Sequence, residues 1–254
     1  METKNKIAVV TGGSRGLGRN ASLALAKKGI DVVLTYHSNK QDAENVVSEI
    51  RASGRKAEAY QLDTRNVQSF DHFLQQVTEH LQTYTGSPNF DYLINNAGTG
   101  VHAAFAETTE AQVDDMINTH YKGVFFLTQK ALAYLNDGGA IVNISTGLAR
   151  FSMPGFAAYA SMKGAIETLT LYQAKELGAR GIRVNAVAPG AIATDFGGGA
   201  TRDVPEVNSF IKSVTALGRV GQPDDIGSVV AFLCTDEARW ITGQRIEISG
   251  GMNL

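Results

Sequence analysis

Short apolar runs alternate with amphipathic stretches along nearly the whole chain. Ile7–Val10, Asp31–Tyr36, Ala57–Asp63, Phe90–Ile94, Ala140–Ser145, Ile182–Val187 and Gln244–Ile248 are the runs, apolar enough to be strands buried on both faces of a parallel sheet. Between them, apolar side chains recur every three or four positions, the spacing of one helix face. Val46, Val47 and Ile50 mark a helix over 41–53, and Phe70, Phe73, Leu74, Val77 and Leu81 one over 67–83. Met116, Ile117, Val124, Phe125, Leu127 and Leu132 predict a single helix over 110–135, and Val229, Val230 and Leu233 one after Pro223. Helices are also expected from Ala21 to Gly29 and from about Ala157 to Leu177. Strands and helices alternate without repeat, low-complexity tract or linker. Residues 1–254 therefore read as one α/β domain, a doubly wound parallel sheet with helices on both faces. Residues 195–216 hold Gly197-Gly198-Gly199 and no strong period, and are expected to form a mobile loop or small lid.

Composition narrows the class. Hydrophobic residues at 43%, charged residues at 19% and a net charge of −2 exclude a disordered chain and favour no nucleic-acid partner. Cys234 is the single cysteine, so no internal disulfide forms, which fits a reducing compartment. Met1-Glu2-Thr3-Lys4-Asn5-Lys6 lacks the apolar core of a signal peptide, and no run approaches the ~18 apolar residues of a membrane span. A cytoplasmic protein without membrane or metal partners is expected.

Candidate chemistry collects where the strands end. Thr11-Gly12-Gly13-Ser14-Arg15-Gly16-Leu17-Gly18 lies between the first strand and a helix. Glycines there permit positive φ and a close approach of pyrophosphate, and the helix N-terminus offers free N–H groups. The second strand ends in Thr35-Tyr36-His37-Ser38-Asn39-Lys40, with no carboxylate to bind a ribose 2′-hydroxyl. Together with Arg15 this favours NADP over NAD; the bland alternative leaves Arg15 and Lys40 as solvent-facing charges. Asp63 lies at the edge of the third strand, and Asn95-Asn96-Ala97-Gly98 follows the fourth. Tyr159 and Lys163, four apart, share a helix face. A neighbouring ammonium is expected to draw the phenol pKa from about 10 toward neutrality, where a proton donor works best. Thr146 closes the fifth strand on the same edge.

These motifs, in this order, resemble the short-chain dehydrogenase/reductase family: the TGxxxGxG turn at 11–18, NNAG at 95–98, YxxxK at 159–163, and Pro189-Gly190 with Thr194. The resemblance implies a seven-stranded sheet, usually a homotetramer, and hydride transfer from NADPH to a carbonyl with Tyr159 as proton donor. It further implies that Lys163 binds the nicotinamide ribose and holds down the Tyr159 pKa, that Asp63 contacts adenine, that Asn95, Ala97 and Gly98 line the cofactor cleft, and that Ile192 and Thr194 meet the carboxamide.

Two positions depart from the family pattern. Its catalytic serine lies thirteen residues before the tyrosine, where this chain has Thr146. Threonine keeps the hydroxyl donor, and Ser145 beside it faces the other way along a strand. His120 occupies the place of the asparagine thought to hold a water of the proton relay. Imidazole donates, accepts and titrates near neutrality, so His120 either keeps the relay with altered pH dependence or only packs locally. Asn118 substitutes only in an irregular helix, and a regular one is expected. The first substrate suggested is a ketone or 3-oxoacyl group. An acidic carrier protein needs a basic approach, however, and only Arg202 and Lys212 occur in 195–216. Sugar, steroid and small secondary-alcohol substrates stay open. The competing class is a cofactor-binding regulator or structural subunit with little catalysis, which the intact Tyr159–Lys163 pair disfavours.

Overall fold

The computed structural model describes residues 5–254; the first four residues of the polar start noted above lie outside that range. Seven strands form one sheet: β1 Ile7–Val10, β2 Asp31–Tyr36, β3 Ala57–Gln61, β4 Phe90–Asn95, β5 Leu135–Ile144, β6 Arg183–Pro189 and β7 Arg245–Ile248. Their order is β3-β2-β1-β4-β5-β6-β7, and every pair is parallel. The order reverses between β1 and β4, so the crevice at their carboxyl ends is where such sheets bind ligands. The helices are α1 Gly16–Lys27, α2 Lys40–Ala52, α3 Phe70–Thr85, α4 Glu110–Met116, α5 Gly123–Ala131, α6 Ala157–Leu177, α7 Ala200–Asp203, α8 Pro205–Ser213 and α9 Pro223–Leu233.

Two apolar clusters cover the two sheet faces. One gathers Leu25, Ile50, Ile226 and Val230 of α1, α2 and α9 on Val10, Leu34 and Ile94; the other gathers Phe70, Phe73, Leu81 and Leu127 of α3 and α5 on Val9, Leu93 and Ile141. Alternate side chains of each strand point to opposite faces, so one apolar run serves both layers. Among the described residues, no helix is long and apolar enough to cross a membrane.

Three elements differ from the sequence expectation. The strand β5 begins at Leu135, ahead of the Asp137-Gly138-Gly139 turn, and its pairing with β4 is irregular between Phe90 and Tyr92. The helix expected over 110–135 is three pieces, with a π-helical segment, Ile117–Lys122, between α4 and α5. Residues 196–213 are a short 3₁₀ turn followed by α7 and α8, not an irregular loop. Proline at the first position of α8 begins that helix in a stretch too short to show a period.

Candidate active site

The glycine turn is built by neighbours that leave no room for side chains. The Gly12 amide donates to Thr35 Oγ1 at 3.0 Å and the Gly13 amide to the Thr35 carbonyl at 2.8 Å. A Cβ on Gly18 would lie 2.1 Å from the Gly12 carbonyl oxygen, so only glycine lets α1 pack this closely on the turn. Thr11 Oγ1 accepts from the amides of Asn96 and Ala97, both at 3.0 Å, while Asn96 Nδ2 donates to the carbonyls of Thr11 and Gly12. The segment after β4 is therefore a clamp on the turn after β1.

That clamp corrects the reading of Asn95. Its side chain is buried and donates to Thr128 Oγ1 at 3.0 Å and to Asn143 Oδ1 at 2.8 Å, so it ties β4 to α5 and β5 and does not line the crevice. Thr11 and Asn96 are the residues that the sequence reading missed; their signal was their place inside the same two motifs. Gly190 also has a packing reason, since a Cβ there would lie 2.8 Å from Ser249 Cα. Ile192 is held by a backbone bridge to Gly221, and Thr194 Oγ1 accepts from the Phe196 amide at 3.3 Å.

The turn fits a pyrophosphate. Arg15 caps α1 without a side-chain hydrogen bond, and the first helical turn has no acidic residue, so its N–H groups and the positive end of its dipole are unmatched by protein anions. Arg15 is exposed and pairs with no carboxylate among the described residues. At the ends of β2 and β3, Ser38 and His37 are exposed, and Asp63 is engaged by Arg65 through Nε at 3.0 Å and Nη2 at 2.9 Å. These hydrogen bonds hold the Asp63 carboxyl below its ordinary range. Arg65 also approaches Asp115 at 3.4 Å and His37 Nε2 at 3.5 Å. Asp63 is thus paired off by Arg65, a contact that no motif announced.

On the other side of the crevice, α6 brings Tyr159 and Lys163 to the end of β5, and all but a few percent of both is buried. Lys163 Nζ lies 5.8 Å from the centre of the Tyr159 ring and donates to the Ile144 carbonyl at 2.7 Å. Burial pushes the ammonium down to about 7. The expected fall of the Tyr159 pKa is not what this environment produces. Desolvation pushes the phenol up to about 12, opposed by the Thr146 hydroxyl beside it. A cation near half charge at neutral pH is a weak counterweight to burial. Ser145 points away, donating to Glu167 Oε1 at 2.6 Å, which leaves Thr146 as the hydroxyl on the Tyr159 side.

His120 lies edge-on to Tyr159, ring centres 5.2 Å apart. Its Nε2 meets the Thr99 carbonyl at 2.6 Å. A carbonyl only accepts, so Nε2 carries the proton and Nδ1 is a bare acceptor. That Nδ1 is buried with no partner among the described residues. Burial, with the charge of Lys163 adding to it, pushes the imidazole down to about 3. His120 is thus neutral at working pH, contrary to the expectation of a group titrating near 7. Gly98 backs the ring, since a Cβ there would lie 2.7 Å from His120 Cε1. Asn118 sits in the irregular segment, its carbonyl accepting from the Gly123 amide in a π-type bond.

A glycine turn at the switch point of a parallel sheet, facing a buried phenol and amine, defines an oxidoreductase of the nicotinamide-dependent kind. A family model described as "Enoyl-(Acyl carrier protein) reductase" matches residues 12–253. The 3-oxoacyl-[acyl-carrier-protein] reductase FabG of Staphylococcus aureus strain Mu50 is 39% identical over 251 residues, 98% of each chain. Among solved structures, LugOII, described as a promiscuous reductase catalysing keto-reduction at C1 during lugdunomycin biosynthesis, matches with a TM-score of 0.93 and 39% identity over 98% of both chains. The angucycline C-6 ketoreductase LanV with bound NADP matches with a TM-score of 0.93 and 36% identity, over 98% of this chain and 95% of that one. The chain belongs to the short-chain dehydrogenase/reductase family.

Proposed function

We propose that this chain is an NADPH-dependent carbonyl reductase that converts a small-molecule ketone to a secondary alcohol. The observation that carries the proposal is Tyr159: a buried phenol with Thr146 beside it and Lys163 one helical turn on, at the edge of the sheet that also holds the glycine turn. Gly12, Ser14, Arg15, Gly16, Leu17 and Gly18 would hold the pyrophosphate. Arg15, His37 and Ser38 favour a 2′-phosphate, with the Asp63 carboxylate paired off by Arg65, while Ala97, Gly98, Pro189, Gly190, Ile192 and Thr194 would border the nicotinamide half. The reduced nicotinamide supplies a hydride to the carbonyl carbon.

The protein's own groups handle the proton. Thr146 donates a hydrogen bond that orients the carbonyl, a contribution of a few kcal/mol in a dry site. With its pKa pushed up to about 12, Tyr159 holds its proton until oxygen begins to carry negative charge. The phenolate regains its proton from the Lys163 ammonium through a bridging hydroxyl or water, Lys163 is recharged from solvent, and the His120 Nδ1 lone pair, fixed by the Thr99 bond, is an acceptor that orients the bridging group. His120 thus takes a relay position as a constant acceptor, not as a titrating group.

Small ketones fit better than a carrier protein as partner. Arg202 is paired with Asp195 and Asp203, both at 2.7 Å, which removes one of the two cations available to an acidic surface in 195–216. A homotetramer, which the resemblance implies, belongs to the same reading. Stopped-flow oxidation of NADPH with a panel of ketones tests it. Turnover is expected with the native chain and a loss of at least a thousandfold with Tyr159→Phe, at nearly unchanged NADPH affinity. NADPH binding without turnover on any ketone, activated diketones included, would make the chain a non-catalytic binder.

A further inference from the structure

Phe196 is a large apolar side chain, 45% exposed, beside the buried phenol. Its ring lies 5.6 Å from that of Tyr159 at 50°, and the His120 ring lies 5.2 Å from the same phenol. It is also pressed on Gly100: a Cβ there would lie 2.7 Å from Phe196 Cζ and 3.0 Å from Cε1. A side chain at position 100 would drive the ring off, so the bare backbone after β4 is half of its seat.

The backbone beyond Phe196 allows that ring to be re-placed. Gly197, Gly198 and Gly199 follow with φ of 61°, 73° and 79°, a left-handed run that only glycine adopts without strain. Nothing lies within 4 Å of a Cβ built on Gly197 or Gly198. The Asp195–Arg202 ion pair at 2.7 Å bridges the run on its outer side. Phe196 is thus held by the Tyr159 ring, the bare backbone of Gly100 and the Thr194 hydroxyl that accepts from its amide, with the Asp195–Arg202 ion pair beside it.

We infer, on the basis of the carbonyl-reductase reading, that Phe196 is a specificity-determining residue that selects ketones carrying a flat aromatic ring. A carbonyl that reaches the Tyr159 hydroxyl has to take the place of the Phe196–Tyr159 contact. A saturated substituent replaces it with apolar contact alone. An aryl ring replaces it with an offset stack on Phe196, which adds an aromatic-pair preference of roughly two- to tenfold in affinity. The same loop that carries Gly100 supplies a second aromatic pair, His102 edge-on to Phe156 at 4.9 Å, locked by the Ala103 amide on the Gly155 carbonyl at 3.0 Å. The loop after β4 thus meets an aromatic ring at two of its residues, Gly100 on Phe196 and His102 on Phe156.

The experiment compares 1-tetralone with 1-decalone, one skeleton with and without the aromatic ring, in NADPH-linked steady-state kinetics on the full chain. Comparing variants cancels the intrinsic reactivity difference of the two ketones. Phe196→Leu is expected to lower the tetralone-to-decalone ratio of kcat/KM by about fivefold, through a raised KM for tetralone, and Phe196→Tyr is expected to restore it. An unchanged ratio in Phe196→Leu, or an equal loss on both ketones that Phe196→Tyr does not rescue, would overturn the inference while leaving the carbonyl-reductase reading intact. Absence of turnover by the native chain on these and every other ketone would remove both.

Discussion

At the residue scale, Lys163 is an ionisable group held almost wholly out of water. Its ammonium is enclosed, bonded to the Ile144 carbonyl alone among the described residues, and pushed from 10.5 down to about 7. The sign of the consequence follows from linkage. Between pH 7 and 10.5 the unfolded chain binds a proton at this site that the folded chain has released, so stability rises with pH across that window. Below pH 7 the cost of the buried charge is present in full. The slope is at most about 1.4 kcal/mol per pH unit. Lys163→Met removes it, so urea midpoints of the cofactor-free protein at pH 7.5 and 8.5 should separate for the native chain, the higher at pH 8.5, and stay together for the variant. The interval stops short of the range in which Cys234 and Tyr159, both pushed up to about 12 by burial, contribute the opposite slope. A pair of midpoints that moves in parallel in both proteins would show that Lys163 is not held neutral. His120 adds nothing here, since its pKa near 3 lies far below the window.

At the element scale, the π-helical segment Ile117–Lys122 carries the most information. Among the described residues, two of the three buried side-chain polar atoms without partners, Thr119 Oγ1 and His120 Nδ1, belong to it, as fits a helix irregularity at a functional site. Gly123 ends the segment against the sheet edge: a Cβ there would lie 2.4 Å from the Thr64 carbonyl oxygen. In an ordinary helix Gly→Ala stabilises by about 1 kcal/mol. Here the obstacle is backbone, and overpacking costs about 1–3 kcal/mol. Gly123→Ala should therefore lower the thermal midpoint, and a raised midpoint would show that the segment yields freely. The strand runs, the glycine turn and the Tyr159–Lys163 pair are legible in the sequence because each is set by residue type at fixed spacing. The π segment is not, since Met116, Val124 and Leu127 keep apolar spacing across an inserted residue. Nor is the direction in which adjacent polar side chains point. Asn95 and Asn96 read alike in a motif, yet the pleat sends one into the sheet toward Asn143 and leaves the other to clamp Gly12. The contact of Arg65 with Asp115 and the seat of Phe196 on Gly100 join segments far apart in the chain, which no local pattern encodes.

At the scale of the whole molecule, the exposed apolar side chains bear on the homotetramer that belongs to the proposed reading. Leu171 and Tyr172 stand 55% and 65% exposed on α6, the helix whose inner face carries Tyr159 and Lys163, and Trp240 and Leu254 are exposed at 96% and 93%. Single exposed apolar residues are ordinary. Neighbouring large ones on a helix that supports a buried site mark an interface more often than bare surface. An interface there would press α6 onto the sheet, and α6 is what fixes the distance from Lys163 to Tyr159. The carboxyl end is already tied to the site: Arg150 binds Glu247 and the carbonyls of Met252 and Asn253, and Arg245 joins Glu247, Glu167 and the Thr146 carbonyl. Packing around Leu254 would therefore reach Thr146 through the hydrogen bonds that begin at Asn253 beside it. Sedimentation velocity should give four times the chain mass for the native protein, and Leu171→Glu with Tyr172→Glu should reduce it to half or less. Turnover should fall with the assembly, because α6 loses its outer support while every residue of the crevice is kept. A native protein that sediments as a monomer at micromolar concentration, with full activity, would assign these side chains to the surface and leave α6 held by its own chain alone.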